Sequence, residues 1–355
     1  MSTIDRYFFR TVARSSLVML LVLLALSGFI NLVDQLEDVG VGRFQTMDAV
    51  FMVLFQWPRH GFDLFPMAVL LGAMFGLGGL AGHSELIAVR AIGVSLARLS
   101  WATLLTGIVL AILAAVIGEF VVPPAERFAQ TYKSELLEDK TTVSRLAGAW
   151  FRDGNRIVNI LQIEDQAQLA GVYTYQFEPD GSLLEVGRAA SAELTGDSTL
   201  KLENYRVTRV DDEVASAQQI GHLEISTELA GDLLESSVVP PESMDAASLL
   251  EYVDYLKSND LQSVRYELAF WSRMANIAAV ALMALLALPF VFGTLRSGGQ
   301  GVRLLAGVLI GVVFFLAGGA LADSATVYGL SPIVAAWIPA MLLLVAAMVG
   351  LARVR

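Results

Sequence analysis

Six long stretches of this chain carry no Asp, Glu, Lys or Arg, and they constrain the fold more than anything else in it. They run over Ser15–Val33, Leu64–Gly82, Leu99–Gly118, Met274–Leu295, Leu304–Ala322 and Ser324–Ala352. At 1.5 Å per residue, a helix of about 20 such residues reaches roughly 30 Å, the thickness of a bilayer's hydrocarbon core. Pro332 and Pro339 interrupt the last stretch, so its span is expected to start near Ile333. The first is too long for a signal-peptide core and no small-residue cleavage site follows it, so it is read as a retained anchor. The sequence predicts six membrane helices.

Charge orients them. One set of connections holds Arg6, Arg10, Arg14, Arg90, Arg98, Arg296, Arg303, Arg353 and Arg355 against only Asp5 and Glu85. The opposite short connections hold mainly Asp34, Glu37, Asp38, Asp48, Asp63 and Asp323. Basic residues mark the cytoplasmic side, which places both termini inside and the large insert at 124–262 outside. That insert has 25 acidic and 11 basic residues, a net of −14. An acidic outer domain argues against nucleic acid as a partner. With no cysteine in the chain, disulfides and thiol chemistry are excluded.

The insert reads as β. Asp153-Gly-Asn155 is a hairpin turn between Trp150-Phe151 and Arg156–Ile163, and Pro179-Asp-Gly181 is a second turn. Strands are expected at Val172–Phe177, Ser182–Leu194, Thr199–Val210 and Gln219–Thr227. Several short strands between turns suggest a sandwich or jelly-roll. Period-two alternation puts Tyr173, Tyr175 and Phe177 on one face, where with Trp150 they form a core or line a lipid path. Asp245–Ser258 switches to helical periodicity, with Leu249, Leu250, Val253 and Leu256 on one stripe, and is expected to lie on the outer membrane surface. The predicted fold class is therefore an α-helical membrane protein with an inserted extracytoplasmic all-β jelly-roll-like domain. Its parts are 1–123 with three spans, 124–262 with the β domain and the short helix at 245–258, and 263–355 with three more spans.

Chemistry is sparse. The only lysines are Lys133, Lys140, Lys201 and Lys257, and no G-x-x-x-x-G-K-[ST] loop exists. Any ATP that drives this protein is hydrolysed elsewhere. His60, His83 and His222 lie apart without metal-ligand spacing, so neither a catalytic set nor a metal site is expected. Glu119, Glu267 and Arg273 sit at span ends, where an ion pair or snorkelling accounts for them. Gly72–Gly76, Gly78–Gly82 and Gly307–Gly311 have the small-xxx-small spacing that lets membrane helices pack closely. GHSELIAVRAIG at 82–93 is a charged amphipathic interruption between two apolar runs, and must lie at a membrane surface. Two classes remain open on these residues: a transport permease driven by a separate ATPase, and a membrane-anchored enzyme or scaffold with a β domain.

Ordered motifs carry a resemblance along nearly the whole chain. They are Asp5-Arg-Tyr7, Ser27-Gly28…Val33-Asp-Gln-Leu36, Phe65-Pro66…Leu70-Leu-Gly72, Ser84-Glu-Leu86, Gly118-Glu119 and Trp150…Asp153-Gly-Asn155. Tyr255-Leu-Lys-Ser258, Arg265-Tyr266, Trp271-Ser272, Leu295-Arg-Ser297, Val327-Tyr-Gly329 and Pro332 complete the set. Together they resemble the LptF/LptG permeases of the lipopolysaccharide export ABC transporter of Gram-negative bacteria, and the Val33-Asp-Gln-Leu36 exit sides with the LptG branch. The resemblance implies an inner-membrane heterodimer with an LptF-type permease over two LptB ATPases, which use ATP and Mg²⁺. It implies no cofactor bound by this chain. The implied substrate is lipopolysaccharide, drawn from membrane lipid and passed to β-jelly-roll domains that continue through LptC.

The same resemblance implies site residues. In 84–93 it implies a coupling helix whose Glu85, Leu86, Ile87 and Arg90 meet the ATPase; a plain amphipathic connector is the alternative. Phe29, Leu32 and Val33 of the first span are expected to face Phe314 and Phe315 of the fifth across a lipid cavity. Family members commonly carry basic residues at the cavity rim. Here those positions hold Asn31, Gln130 and Lys133, with Glu37-Asp38 nearby, so the partner subunit or divalent cations are expected to supply the missing charge.

Overall fold

The computed structural model describes residues 3–137, 149–165, 168–178, 182–195, 199–211, 214–226, 240–259, 261–292 and 300–353. It divides into two compact units, Met1–Glu138 with Val264–Arg355, and Asp139–Ser263.

The first unit is helical. Its elements are α1 (Thr3–Leu36), α2 (Thr46–Gly82), the short α3 (Glu85–Ala91), α4 (Leu96–Val116) and α5 (Val122–Leu137). After the β insert come α7 (Val264–Phe292), α8 (Gln300–Tyr328) and α9 (Pro332–Arg353). Among the described residues six helices are long and apolar enough to cross a membrane, and each contains one of the six uncharged stretches or most of it.

Two of them outrun the sequence pattern. Helix α2 starts at Thr46, 18 residues before the uncharged stretch begins, and runs through Pro58 and Pro66. The charges that hide this extension have partners. Arg59 Nη1 lies 3.2 Å from Glu126 Oε1. Asp48 accepts the Gln45 N–H at 2.8 Å and the Tyr132 hydroxyl at 2.6 Å. The third span continues from α4 through a π-turn at Ile117–Val121 into α5. Ala129 of α5 packs with Phe44, Ala49 and Met52, so residues 124–137 join the helical unit rather than the insert.

Glycine sets the helix contacts. Hydrophobicity gives lipid-bathed helices little reason to associate, so close backbone approach must do it. A Cβ on Gly72 of α2 would collide with the Ser16 backbone of α1. Gly307 and Gly311 of α8 meet Met74 and Met67 of α2. The Gly72–Gly76 and Gly307–Gly311 spacings are thus used for packing inside the chain, whereas a Cβ on Gly82 would meet nothing within 4 Å.

The second unit holds six antiparallel strands: β1 (Ala149–Asp153), β2 (Arg156–Asp165), β3 (Gln168–Phe177), β4 (Leu183–Thr195), β5 (Thr199–Asp211) and β6 (Val214–Ser226). Each pairs with the next in the chain. Gly154 takes φ +58 in the β1–β2 turn, where Asp153 pairs with Arg156. The Pro179-Asp-Gly181 turn lies outside the described residues. The inserted all-β domain is present, and its described strands pair in chain order as an antiparallel sheet. Strands joined directly to their neighbours pair in order.

The buried face slips phase part-way along the strands. Buried positions are Leu169, then Val172 and Thr174, on β3; Ala189, then Ala192, on β4; and Leu200 and Leu202, then Tyr205 and Val207, on β5. Gly171 and Asn204 have φ of +67 and +52 at the slip. An extra residue at one level bends a sheet and turns its core face inward on both sides of the bend.

Helix α6 (Ala246–Ser258) also belongs to this unit. Asp245 caps it by accepting the Ser248 N–H at 2.8 Å. Its buried stripe is Leu249, Tyr252, Val253, Tyr255 and Leu256, whereas Leu250, expected on that stripe, is half exposed. Asn259 at its end accepts the Gly154 N–H at 3.1 Å and pins it to the first hairpin.

At the core of the sheet the Tyr205 and Thr174 hydroxyls are 2.7 Å apart. Burial pushes the Tyr205 phenol above the usual 10.0. The folded state therefore holds that proton more tightly than the unfolded chain. This stabilisation is complete below about pH 10 and is lost as pH rises through the folded value. We expect Tyr205→Phe to destabilise the sheet by about 1 kcal/mol at neutral pH through the lost hydrogen bond. Above pH 10 the difference should shrink, which hydrogen exchange of β3–β5 would measure.

Candidate functional site

Helix α3 is clamped at three points. Its preceding residue, Ser84, sits in the left-handed region at φ 63, a conformation that a non-glycine residue keeps only under constraint. The Tyr7 hydroxyl of α1 donates to Glu85 Oε2 at 2.8 Å. Leu86 is 3 % exposed and packs with Phe8, Val12, Leu80, Leu99 and Val291. The Arg90 guanidinium lies 6.0 Å from the centre of the Phe292 ring at the end of α7, within reach of a cation–π attraction.

This corrects the expected docking face. Leu86 points into its own chain and is not available to fill a partner's groove. The Ile87 side chain lies outside the described residues. Glu85, Ala88, Arg90 and Ala91 are on the solvent side, with Ile92 beyond them at 72 % exposure. Among the described residues Ile92 is the exposed large apolar side chain of this element. A seven-residue amphipathic segment does not reveal in advance which of its apolar residues the bundle will claim.

The expected cavity wall is divided in the same way. Phe29 and Val33 on α1 and Phe315 on α8 are exposed. Leu32 packs against the Phe44 cluster, and Phe314 against the central core of α2 and α7. Phe314 is therefore a packing residue of this chain, not part of a bare wall. Adjacent positions on a helix point about 100° apart, so Phe314 is drawn to the core while Phe315 stays exposed.

The rim residues are already engaged. The Asn31 amide donates to the Ser27 carbonyl at 2.8 Å and the Ser27 hydroxyl at 3.1 Å, within its own helix. Lys133 Nζ lies 2.7 Å from Asp38 Oδ2 and donates to Gln35 at 3.0 Å. The single lysine of the rim thus fastens α5 to the exit of α1, and its charge is balanced. Glu119 and Arg273 form the structural pair expected of span-end charges, at 3.5 Å, with the Arg273 side chain 9 % exposed. The Arg59–Glu126 pair carried no sequence signal, because its members lie 67 positions apart.

In the insert the sheet turns its other face to the core. Val172 and Thr174 are buried, while Tyr173, Tyr175 and Phe177 are partly buried. Arg188 lies 5.4 Å from the centre of the Tyr173 ring. Trp150 pairs with Asn159 and Asn159 with Tyr173, which sets Trp150 on the aromatic face; its burial lies outside the described residues. The aromatics lie on the opposite face from Val172 and Thr174, beside the buried Asn159. Among the described residues no group of His, Asp or Glu could hold a metal ion.

Comparison with known proteins fits this arrangement. A family model described as lipopolysaccharide export system permease LptF/LptG matches residues 6–353. The chain is 34% identical over 342 residues to lipopolysaccharide export system permease protein LptG of Escherichia coli K12, covering 95% of this chain and 94% of that protein. LptG of Haemophilus influenzae is 31% identical, covering 97% and 96%. LptF of Escherichia coli K12 is 24% identical, covering 88% and 84%.

The divided wall makes a prediction. Phe314→Ala should destabilise the detergent-solubilised protein by about 2 kcal/mol, as large-to-small changes do at packed positions. Phe315→Ala should change it by less than about 0.5 kcal/mol. Thermal melting of the two variants checks this.

Proposed function

The chain belongs to the LptF/LptG family of lipopolysaccharide export system permeases, and from that premise we propose how its parts serve export. It is a multi-pass membrane transport subunit of the LptG type and works with an LptF-type permease. Its termini and α3 lie on the cytoplasmic side and its β domain in the periplasm, a reading supported by the split of Arg from Asp and Glu between connections.

One observation supports the transport reading above the rest: α1 and α8 are the least buried of the six spans, and their bare faces carry Phe29, Val33 and Phe315. Lipopolysaccharide resists leaving the bilayer because each acyl CH₂ taken from hydrocarbon costs about 0.8 kcal/mol. A many-chained lipid therefore needs both an outside energy source and an apolar surface to rest on during transfer. These two faces, completed by those of the partner permease, provide that surface. ATP and Mg²⁺ act in two LptB-type ATPase subunits, since this chain has no phosphate-binding loop. Lipid then passes to the β domain and onward through an LptC-type protein.

Coupling runs through α3. Its outward face of Glu85, Arg90 and Ile92 meets the ATPase. Movement there reaches α1 through the Tyr7–Glu85 hydrogen bond, and α1 is one unbroken helix of 34 residues. At roughly 50 Å it spans the bilayer, so a displacement at Tyr7 is felt at Phe29 and Val33. At the rim, the balanced Lys133 leaves the lipid's phosphates to the partner permease or to bound divalent cations.

The test is Glu85→Ala in proteoliposomes holding both permeases and the ATPase. Lipopolysaccharide released per ATP hydrolysed should fall at least about tenfold, while the complex assembles and inserts normally; tenfold corresponds to roughly 1.4 kcal/mol of lost coupling. An unchanged ratio would remove α3 from the coupling path.

A further inference from the structure

The first turn of α8 buries an arginine that no described residue of this chain neutralises. Arg303 is 7% exposed, and its Nε and Nη1 have no hydrogen-bond acceptor. It begins the stripe Arg303, Gly307, Gly311 that packs on α2: a Cβ on Gly78 would come within 3.0 Å of its Nη1. A guanidinium stays charged at every physiological pH, and an uncompensated charge in this position is strongly unfavourable.

No carboxylate side chain at this end of the bundle is available to it. The connections on this side hold only Asp5 and Glu85, and residues 293–299 contain no acid. Asp5 lies 3.9 Å from Arg98, and Glu85 is bonded to Tyr7. Among the described residues there is no countercharge for it.

Position and surroundings select its chemistry. Side chains on a helix lean towards its N-terminus, which for α8 is the end of the span, so a first-turn arginine reaches for the headgroup layer while its stem lies in hydrocarbon. The first turn of a helix also favours negative charge. Round the helix from Arg303, on the face turned away from α2, Val302, Leu305 and Leu309 are 50%, 70% and 65% exposed, an apolar ridge running along the span. A protein carboxylate would answer the charge alone, whereas a phosphate bearing acyl chains answers both charge and ridge. We propose that Arg303 anchors a binding site for an anionic membrane phospholipid, its phosphate on the guanidinium and an acyl chain along Val302, Leu305 and Leu309. The site lies in the leaflet on the α3 side, and it does not rest on the transport reading.

The full chain reconstituted in phosphatidylcholine nanodiscs, with or without phosphatidylglycerol, decides the matter. Phosphatidylglycerol should raise the wild-type melting temperature by about 3–6 °C, as a ligand of the folded state does. R303M fills the same space without charge. It should show no such rise, should melt above wild type in pure phosphatidylcholine, and should retain one phosphatidylglycerol fewer in native mass spectrometry. R303K should keep part of the rise. Equal responses of wild type and R303M would overturn the proposal. So would recovery of wild-type stability by the partner permease or by lipopolysaccharide but not by phosphatidylglycerol. If R303M fails to accumulate, the wild-type comparison still decides, since no phosphatidylglycerol-dependent rise would refute the site.

Discussion

The contact between α1 and α2 at Gly72 organises the helical unit. In a bilayer, apolar side chains gain little by leaving lipid for one another, so a stable bundle needs places where backbones nearly touch. Gly72 against Ser16 is such a place, and α8 reaches the same helix through Gly307 and Gly311. Helix α2 becomes the central post, with its inner residues Val69, Leu70 and Leu77 fully buried. Helices α1 and α8 lean on it by narrow stripes and leave the rest of their circumference bare. The exposed faces that the transport reading uses follow from this one-sided attachment.

Much of the framework was legible in the sequence because it obeys simple periods. Uncharged stretches located all six spans, and alternation with turn residues located β2, β4, β5 and the Asp153-Gly-Asn155 hairpin to within a few positions. What was hidden depends on pairs distant along the chain. The early start of α2 is masked by Arg59 and Asp48, whose partners Glu126 and Tyr132 lie 67 and 84 positions away. The face of β3 is misread for a different reason. Tyrosines at period two look like core residues, yet the innermost positions of β3 are Val172 and Thr174, packed under Tyr205 of β5.

The candidate site was legible as a region and not as a set of contacts. The interruption at 82–93 marked a surface element, but only packing shows Leu86 turned inward and Ile92 outward. Lys133 looked like a lipid-facing cation until Asp38 was placed 2.7 Å from it. Arg303 counts in the sequence only toward orientation, because its burial arises where α8 packs on α2. Charge in this protein is mostly used to fix helix ends to one another, which leaves the apolar faces of α1 and α8 as the surface suited to a lipid.

The most direct test of that account is site-specific photocrosslinking of lipopolysaccharide in proteoliposomes containing the whole transporter. Probes at Phe29, Val33 and Phe315 should give lipopolysaccharide adducts whose yield changes with ATP hydrolysis. A probe at Leu342, exposed on α9, should capture only bulk lipid and show no such change. Equal, ATP-independent labelling at all four positions would contradict the assignment of α1 and α8 as the lipid path.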